Sequence, residues 1–520
     1  MNNDTNRLNR NLLLAGLGLI VFLCFFAGIG SGPLFDVDEG AFSEATREIL
    51  VSKNYLTTYL NGALRFDKPI LIYWLQLLSI KSFGINEFAF RLPSAISAAF
   101  WALTIFLFVR RERNETEAVW ATALMALSLQ VSIIAKAAIA DALLNLCLAV
   151  TLLSIYRYWR HSERSAVYLA FAAMGFGVLD KGPVAILIPV VVSLLFFAVR
   201  KDLMRWFQLA FNPLGITLFL AIAMPWYVLE YREQGQAFIN GFIMKHNIGR
   251  FKGSMEGHSG TLLYYLPVVL IGLMPSTGIL FGAFSKLRSR LSDPLWQFCL
   301  IWFAFVFIFF SLSGTKLPHY MIYGYTPLFI LLGIELAEVE STWLHALWPT
   351  ALLLIFAALP QVLPQVIPSI ESRFVQAQLQ GLMAAMAASH FSLLMSFAAT
   401  VCLLLQFAPM MPPLRFIIGG ALLTLSFNFI AMPMAASVMQ QPVKEAALLA
   451  REQGLKIVMW KVYYPSFLVY SGALAERREP LPGDVVLTSI DRLDKLGPVE
   501  RLYGKHGIVL VRMPDQPDTR

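Results

Sequence analysis

Asp36-Val37-Asp38-Glu39-Gly40-Ala41-Phe42-Ser43-Glu44-Ala45-Thr46-Arg47-Glu48-Ile49-Leu50 follows directly on an apolar run, residues 11–30, that is long enough to cross a bilayer. Arg7 and Arg10 precede that run, so the positive-inside tendency keeps the N-terminus in the cytoplasm and delivers the charged stretch to the outer face. The run is too long, and too poor in cleavage-site residues, to prefer a signal peptide, and it reads as the first spanning helix. The charged stretch predicts a short helix. Asp36 suits its N-cap, Glu39 completes a capping box, and Phe42, Ala45 and Ile49 share a face. Such a helix can lie flat in the membrane interface, with Asp36, Glu44 and Glu48 as caps and solvated surface. Asp38 is left without such a role.

The whole chain agrees with this start. Its 520 residues are 57% hydrophobic and only 14% charged, which excludes a soluble globular protein and defines a polytopic α-helical membrane protein. Cys24, Cys147, Cys299 and Cys402 each sit inside an apolar run, so they read as small core residues without a disulfide framework. The formal charge of +8 is scattered over many short loops, a membrane-topology pattern, and nucleic acid is not an expected partner.

Beyond the acidic stretch, Asn61-Gly62 marks a turn and Arg65-Phe66-Asp67-Lys68-Pro69 opens an apolar segment, 70–80, too short to span. Residues 31–91 therefore form one outer loop. Spans are expected at 92–109, 118–135, from Asp141, at 167–179 and 184–199, up to 224–227, then at 261–284, 295–310, 323–336, 344–363, 382–407 and 414–432, about thirteen in all. A second outer loop covers 230–260. The segment 335–342 falls on the cytoplasmic side although it carries acids and neither Lys nor Arg. An odd number of crossings leaves the C-terminus outside. Residues 1–440 form the membrane domain, and 441–520 a small extracytoplasmic α/β domain with a helix at 443–453 and strands at 456–462, 485–490 and 508–512.

This topology collects Asp38, Glu39, Asp67, Lys68, Asp141, Lys181, Lys245, His246, Arg250, His258, Lys316 and His319 on the outer face. Nucleotide sugars and ATP are not available there, so an activated donor must arrive through the lipid. A sugar on polyprenyl phosphate satisfies this. Its leaving group is a lipid phosphate that Lys and Arg stabilise, while a carboxylate deprotonates the acceptor. His246, Glu256 and His258 have the residue types for Zn²⁺ or another divalent ion, at a spacing that is not diagnostic, and no other cofactor is indicated.

Asp38-Glu39, Phe66-Asp67-Lys68-Pro69, Lys181-Gly182-Pro183, Pro225-Trp226-Tyr227, His246-Asn247-Ile248-Gly249-Arg250-Phe251, Tyr264-Tyr265-Leu266-Pro267 and Lys316-Leu317-Pro318-His319-Tyr320 occur in this order. As an ordered set they resemble bacterial class C glycosyltransferases, in the branch related to protein O-mannosyltransferases that holds the lipid A aminoarabinose transferase. The resemblance implies a multi-pass inner-membrane enzyme with its site facing the periplasm. Its donor would be a polyprenyl-phosphate sugar, and its acceptor lipid A, another glycolipid or protein. It implies catalytic roles for Asp38, with Glu39 as its acidic neighbour, and for Asp141, and donor-phosphate binding by Lys68; of the other outer-face cations, at least one of Lys181, Arg250 and Lys316 is expected to share the phosphate. The chain departs from the aminoarabinose enzyme at Gly40-Ala41-Phe42, where an arginine is expected, and at Glu256-Gly257-His258-Ser259-Gly260, which lacks a proline-aromatic run.

Two other classes compete. A transporter or flippase predicts charges near the midplane and matched broken helices, whereas the charges here gather at one face. A polysaccharide ligase or polymerase fits the outer charges but not the ordered motifs.

Overall fold

The computed structural model describes residues 2–249 and 260–515. Within them seven helices are long and apolar enough to cross a membrane singly, and three bent pairs raise the number to ten. Two shorter apolar helices, Arg10–Phe26 and Val184–Val199, and the helix Arg164–Lys181 lie where three further crossings are expected. Leu71–Phe83, with 13 residues, is the short outer helix.

Three spans expected as continuous are broken. Glu115–Leu127 meets Leu129–Ala135 at 71°, Tyr265–Gly272 meets Thr277–Ser285 at 111°, and Arg373–Ala388 meets Phe391–Phe407 at 64°. Backbone groups freed at a break must find partners in a dry environment. The first two breaks serve each other: the Leu129 N–H donates to the Met274 carbonyl at 3.0 Å, and Ser128 Oγ donates to the Gly272 carbonyl at 2.7 Å.

The charged stretch forms the helix Asp38–Ser52, but this helix does not lie free in the interface, because every residue from Glu39 to Ile49 is buried. It packs against Leu71–Phe83 and against a C-terminal helix, Pro465–Ser471. Asp36 is not its cap. The N-cap position is Val37, and Asp36 instead accepts the Ser466 N–H at 2.8 Å and the Ser466 hydroxyl, capping the C-terminal helix. Gly40 is demanded by this docking: a Cβ there would lie 2.2 Å from Asp36 Oδ1 and 2.4 Å from the Ser466 nitrogen.

Glu44 and Glu48 also leave the expected surface. Buried carboxylates need partners. Glu44 is held by Arg47 Nε and Nη2, both at 2.7 Å, and Glu48 accepts the Asn61 and Gly62 N–H groups at 2.6 and 3.1 Å. Asn61-Gly62 is the expected turn. Both residues have positive φ and join the short strands Tyr59–Leu60 and Ala63–Leu64.

The C-terminal part contains the helix Gln441–Glu452 and a four-stranded sheet ordered Ile457–Met459, Val485–Ser489, Ile508–Arg512, Glu500–Lys505. The first pair is parallel and the others are antiparallel. The edge strand Glu500–Lys505 was not among the expected strands; none of its residues is buried, so it lacks apolar alternation. Apolar residues from both elements, including Val443, Ala447, Leu487 and Leu510, form a separate small core.

This part rests on the first outer loop. Tyr470 OH accepts the Leu34 N–H and donates to Glu87, Lys444 Nζ lies 2.6 Å from Glu87 Oε1, and Asn61 exchanges two hydrogen bonds with Ala475. The C-terminal part and residues 31–91 therefore share one side, as an odd number of crossings requires. At the other side Arg10 pairs with Glu115, Arg111 and Arg157 with Glu163, and Arg113 with Asp293, all in loops assigned to the cytoplasm. The acid segment 335–342 belongs there too: Glu335 takes Lys286 at 2.9 Å and Arg290 at 3.2 Å.

Candidate functional site

Asp141 opens the helix Asp141–His161, where a carboxylate complements the helix dipole. It is 3% exposed, and its Oδ1 accepts both Lys181 Nζ at 2.6 Å and the Tyr323 hydroxyl at 2.7 Å. The Lys181 ammonium also lies 5.3 Å from the Tyr323 ring centroid. Lys181 ends the helix Arg164–Lys181, and the chain turns away through Gly182 at φ 82°, where a Cβ would lie 2.7 Å from the Phe242 ring. The turn and the segment Ile239–Gly249 are thus locked together.

The same segment presses on the first loop. A Cβ on Gly241 would lie 2.6 Å from the Phe66 ring, and this contact brings His246 Nδ1 to 3.1 Å from Asp67 Oδ1. Asp67 is a hub: Arg65 Nη2 reaches its Oδ2 at 3.1 Å, and Lys68 Nζ donates to its Oδ1 at 3.1 Å and to its carbonyl at 3.2 Å.

His319 joins the two groups. The charges of Asp141, Lys181, Asp38 and Lys68, four of the expected site residues, all act on its ring. Asp38 is exposed, and among the described residues its carboxylate has no hydrogen-bond or ion-pair partner. An exposed carboxylate that shares His319 as an electrostatic neighbour with two ammonium groups has the means to accept a proton while the cations hold a phosphate.

Two expected site residues, Glu39 and Lys316, are spent on contacts within the protein. Glu39 is 5% exposed and saturated, accepting Arg91 Nε and Nη2 at 2.8 Å each, the Phe35 N–H at 2.9 Å and the Ala138 N–H at 2.7 Å. It ties the outer helix to the segment leading into Asp141, which is a positioning role. Lys316 is 6% exposed and donates to the Ser311 and Ser313 carbonyls at 2.8 Å each, capping the end of Pro294–Leu312. Of the metal candidates, His246 lies against Asp67, whereas Glu256 and His258, like the phosphate candidate Arg250, lie outside the described residues. Among the described residues, no three His, Cys, Asp or Glu side chains cluster as a metal site.

Sequence reasoning passed over Tyr323 and Asp180. Asp180 is fully buried, and neither carboxylate oxygen has a hydrogen-bond partner among the described residues, although Lys181, Asp141 and Lys68 all act on it electrostatically. Its place in Asp180-Lys181-Gly182-Pro183 was the available signal. Nothing distinguished Tyr323 from an interfacial tyrosine.

Bundle and cluster together define an integral membrane protein with an acid–cation centre at one end, beneath a small α/β layer. The family model described as dolichyl-phosphate-mannose-protein mannosyltransferase matches residues 67–228. The undecaprenyl phosphate-alpha-4-amino-4-deoxy-L-arabinose arabinosyl transferase 2 of Proteus mirabilis is 29% identical over 347 residues, which are 65% of this chain and 62% of that protein. An uncharacterised protein of Aquifex aeolicus is 30% identical over 62% of this chain and 73% of its own length. The fold matches the crystal structure of ArnT from Cupriavidus metallidurans bound to undecaprenyl phosphate, with a TM-score of 0.79, 19% identity, and 96% of this chain and 97% of that one covered. The chain belongs to the bacterial class C glycosyltransferases of the protein O-mannosyltransferase and lipid A aminoarabinose transferase type.

Proposed function

We propose that this protein is a glycosyltransferase of the cell inner membrane. It moves a hexosyl or pentosyl group from a polyprenyl-phosphate donor to lipid A, another glycolipid or a protein at the periplasmic face. Residues 1–440 act as the transferase domain, and residues 441–520 as an extracytoplasmic domain that holds the first outer loop. The observation that carries this reading is the buried contact of Asp141 with Lys181 and Tyr323, next to a histidine on which Asp38 and Lys68 also act.

The acceptor oxygen attacks the sugar carbon, the bond from that carbon to the lipid phosphate breaks, and the lipid phosphate leaves with the bonding electrons. Lys68 and Lys181 hold the charge that develops on it. Asp38 takes the acceptor proton when the acceptor is a hydroxyl, and orients the acceptor when it is an anionic phosphate. Asp141, fixed by Lys181 and Tyr323, positions the cation. The donor is recognised here by its phosphate. The arginine expected beside Asp38 and Glu39 is replaced by Gly40-Ala41-Phe42, and position 40 has no room for a side chain.

Purified protein supplied with a polyprenyl-phosphate sugar and a lipid acceptor tests the reading, with released polyprenyl phosphate measured by mass spectrometry. Asp38→Asn is expected to lower turnover on a hydroxyl acceptor by about 10² or more, and Lys68→Ala by about 10² to 10³. Unchanged turnover in both variants would overturn it.

A further inference from the structure

Behind the Glu39–Arg91 pair lies a cavity of about 290 Å³ that the transfer chemistry does not use. Its walls are the turns after the first helix, the end of Leu129–Ala135, and the helical segments Phe427–Ala431 and Met432–Met439. Ile29, Ile133, Phe429 and Met432 make it largely apolar.

The charges in its wall do not cancel. Arg91 spends all five N–H donors within the protein, on both Glu39 oxygens and on the carbonyls of Ile29, Gly32 and Pro33. That pair is neutral and closed. Lys136 is different: its ammonium reaches one carbonyl, that of Leu23 at 3.3 Å, and lies 4.7 Å from the Phe429 ring centroid. Among the described residues no carboxylate lies within ion-pair distance of it. Beside it Asn428, only 8% exposed, lines the cavity with an Nδ2 that has no acceptor. A buried donor left unsatisfied is costly, so its place in an otherwise apolar wall calls for an incoming acceptor.

We propose that this cavity binds one chain of an anionic membrane lipid, whose phosphate oxygens are taken by Lys136 Nζ and Asn428 Nδ2. The volume is at the lower end of small-ligand pockets, which suits one chain rather than several. Gly28 and Gly32 follow the outer end of the first span, so the lipid comes from the outer leaflet, an assignment that rests on the orientation proposed above. The binding itself does not. A lipid acceptor and a bilayer phospholipid both join a headgroup phosphate to acyl chains and offer the same chemistry.

The full-length protein in phosphatidylcholine vesicles, with trace phosphatidylglycerol carrying a diazirine in its acyl chain, tests this by photolabelling and peptide mapping. Adducts are expected at 133–137 and 428–436. Lys136→Gln should reduce them about tenfold or more, as loss of a charge-assisted contact implies. Lys136→Arg should retain them, and Ala436→Phe should remove them by filling the cavity. Labelling no greater than on outward-facing helix surfaces, or equal labelling by a phosphatidylcholine probe, would overturn the proposal. Competition by unlabelled lipid A at concentrations well below those needed for phosphatidylglycerol assigns the site to the acceptor, and equal competition assigns it to bilayer phospholipid. The labelling needs no turnover, so failure of the transferase reading and failure of this one are separable.

Discussion

Replacing Glu39 with alanine strands the Arg91 guanidinium. Both side chains are nearly inaccessible, at 7% exposure each, and removing one partner of a buried ion pair costs about 3–5 kcal/mol. The substitution also leaves the Phe35 and Ala138 N–H groups without their acceptor, at about 1–3 kcal/mol each where water cannot replace it. These terms share one carboxylate and do not add, so the expected loss is at least about 3 kcal/mol. Glu39→Gln, which keeps shape and an acceptor, should lose less. The double variant Glu39→Leu/Arg91→Leu should lose less than the two single variants summed, with a coupling of about 0.5–3 kcal/mol, because no charge is then left buried alone. The assay is the fraction of monodisperse protein after a thermal ramp in detergent, with sugar transfer measured on the surviving fraction. A Glu39→Ala protein that keeps the wild-type melting profile but loses turnover would refute the positioning role and put Glu39 into the chemistry.

Loss of hydration pushes the Asp36 carboxyl up to about 7, against the pull of its Ser466 hydrogen bonds, while a free aspartate ionises near pH ~3.9. The docked state binds more protons in between, so docking of the C-terminal part is strongest below about pH 4, weakens as pH rises through about 7 and is flat above. Protease nicking of that part should follow this profile, Asp36→Asn should flatten it, and a wild-type profile without slope would contradict it. Gly40→Ala places a methyl against Asp36 and Ser466 and should cost about 1–3 kcal/mol by thermal ramp. Gly16→Ala, with nothing within 4 Å, is the control, and equal melting of the two would show that the contact yields. Lys316→Met should lower thermal stability and leave the KM for donor unchanged, since its ammonium serves two carbonyls; a raised KM with unaltered melting would return Lys316 to donor binding.

Sidedness was legible because it depends on sums of local charge: the Lys and Arg loops do meet one another's acids on one face, as the Glu163 and Glu335 pairs display. The breaks in the spans were not. Ser128 stands in no Gly or Pro cluster, and what holds it is the Gly272 carbonyl, 144 positions away. The misreading of Asp36, Glu44 and Glu48 as surface has the same origin. A carboxylate on a short amphipathic helix reads as solvated unless one knows what covers it, and the cover here is Pro465–Ser471, 430 positions beyond Asp36. Side assignment plus charge nominates Asp38, Lys68, Asp141 and Lys181, and the structure has all four acting on His319. Their ranking against Glu39 and Lys316 depends on hydrogen-bond partners that no local pattern specifies.

That ranking has a physical consequence at the site. An ammonium has three donors, and a phosphate can recruit only those not already well held. Lys316 has given two to backbone carbonyls, which cannot move aside without unwinding the end of a helix. Lys181 gives one to Asp141, itself anchored by Tyr323, and keeps its charge aimed at the centre. Lys68 shares Asp67 with at least Arg65 and His246, all three at 3.1 Å, longer than the 2.6 Å between Lys181 and Asp141. In the transfer proposed above, a lipid phosphate would draw Lys68 from Asp67, whose charge Arg65 continues to neutralise. Preorganisation of this kind makes the developing charge on a leaving phosphate inexpensive to stabilise, because the cations are in place before the bond breaks.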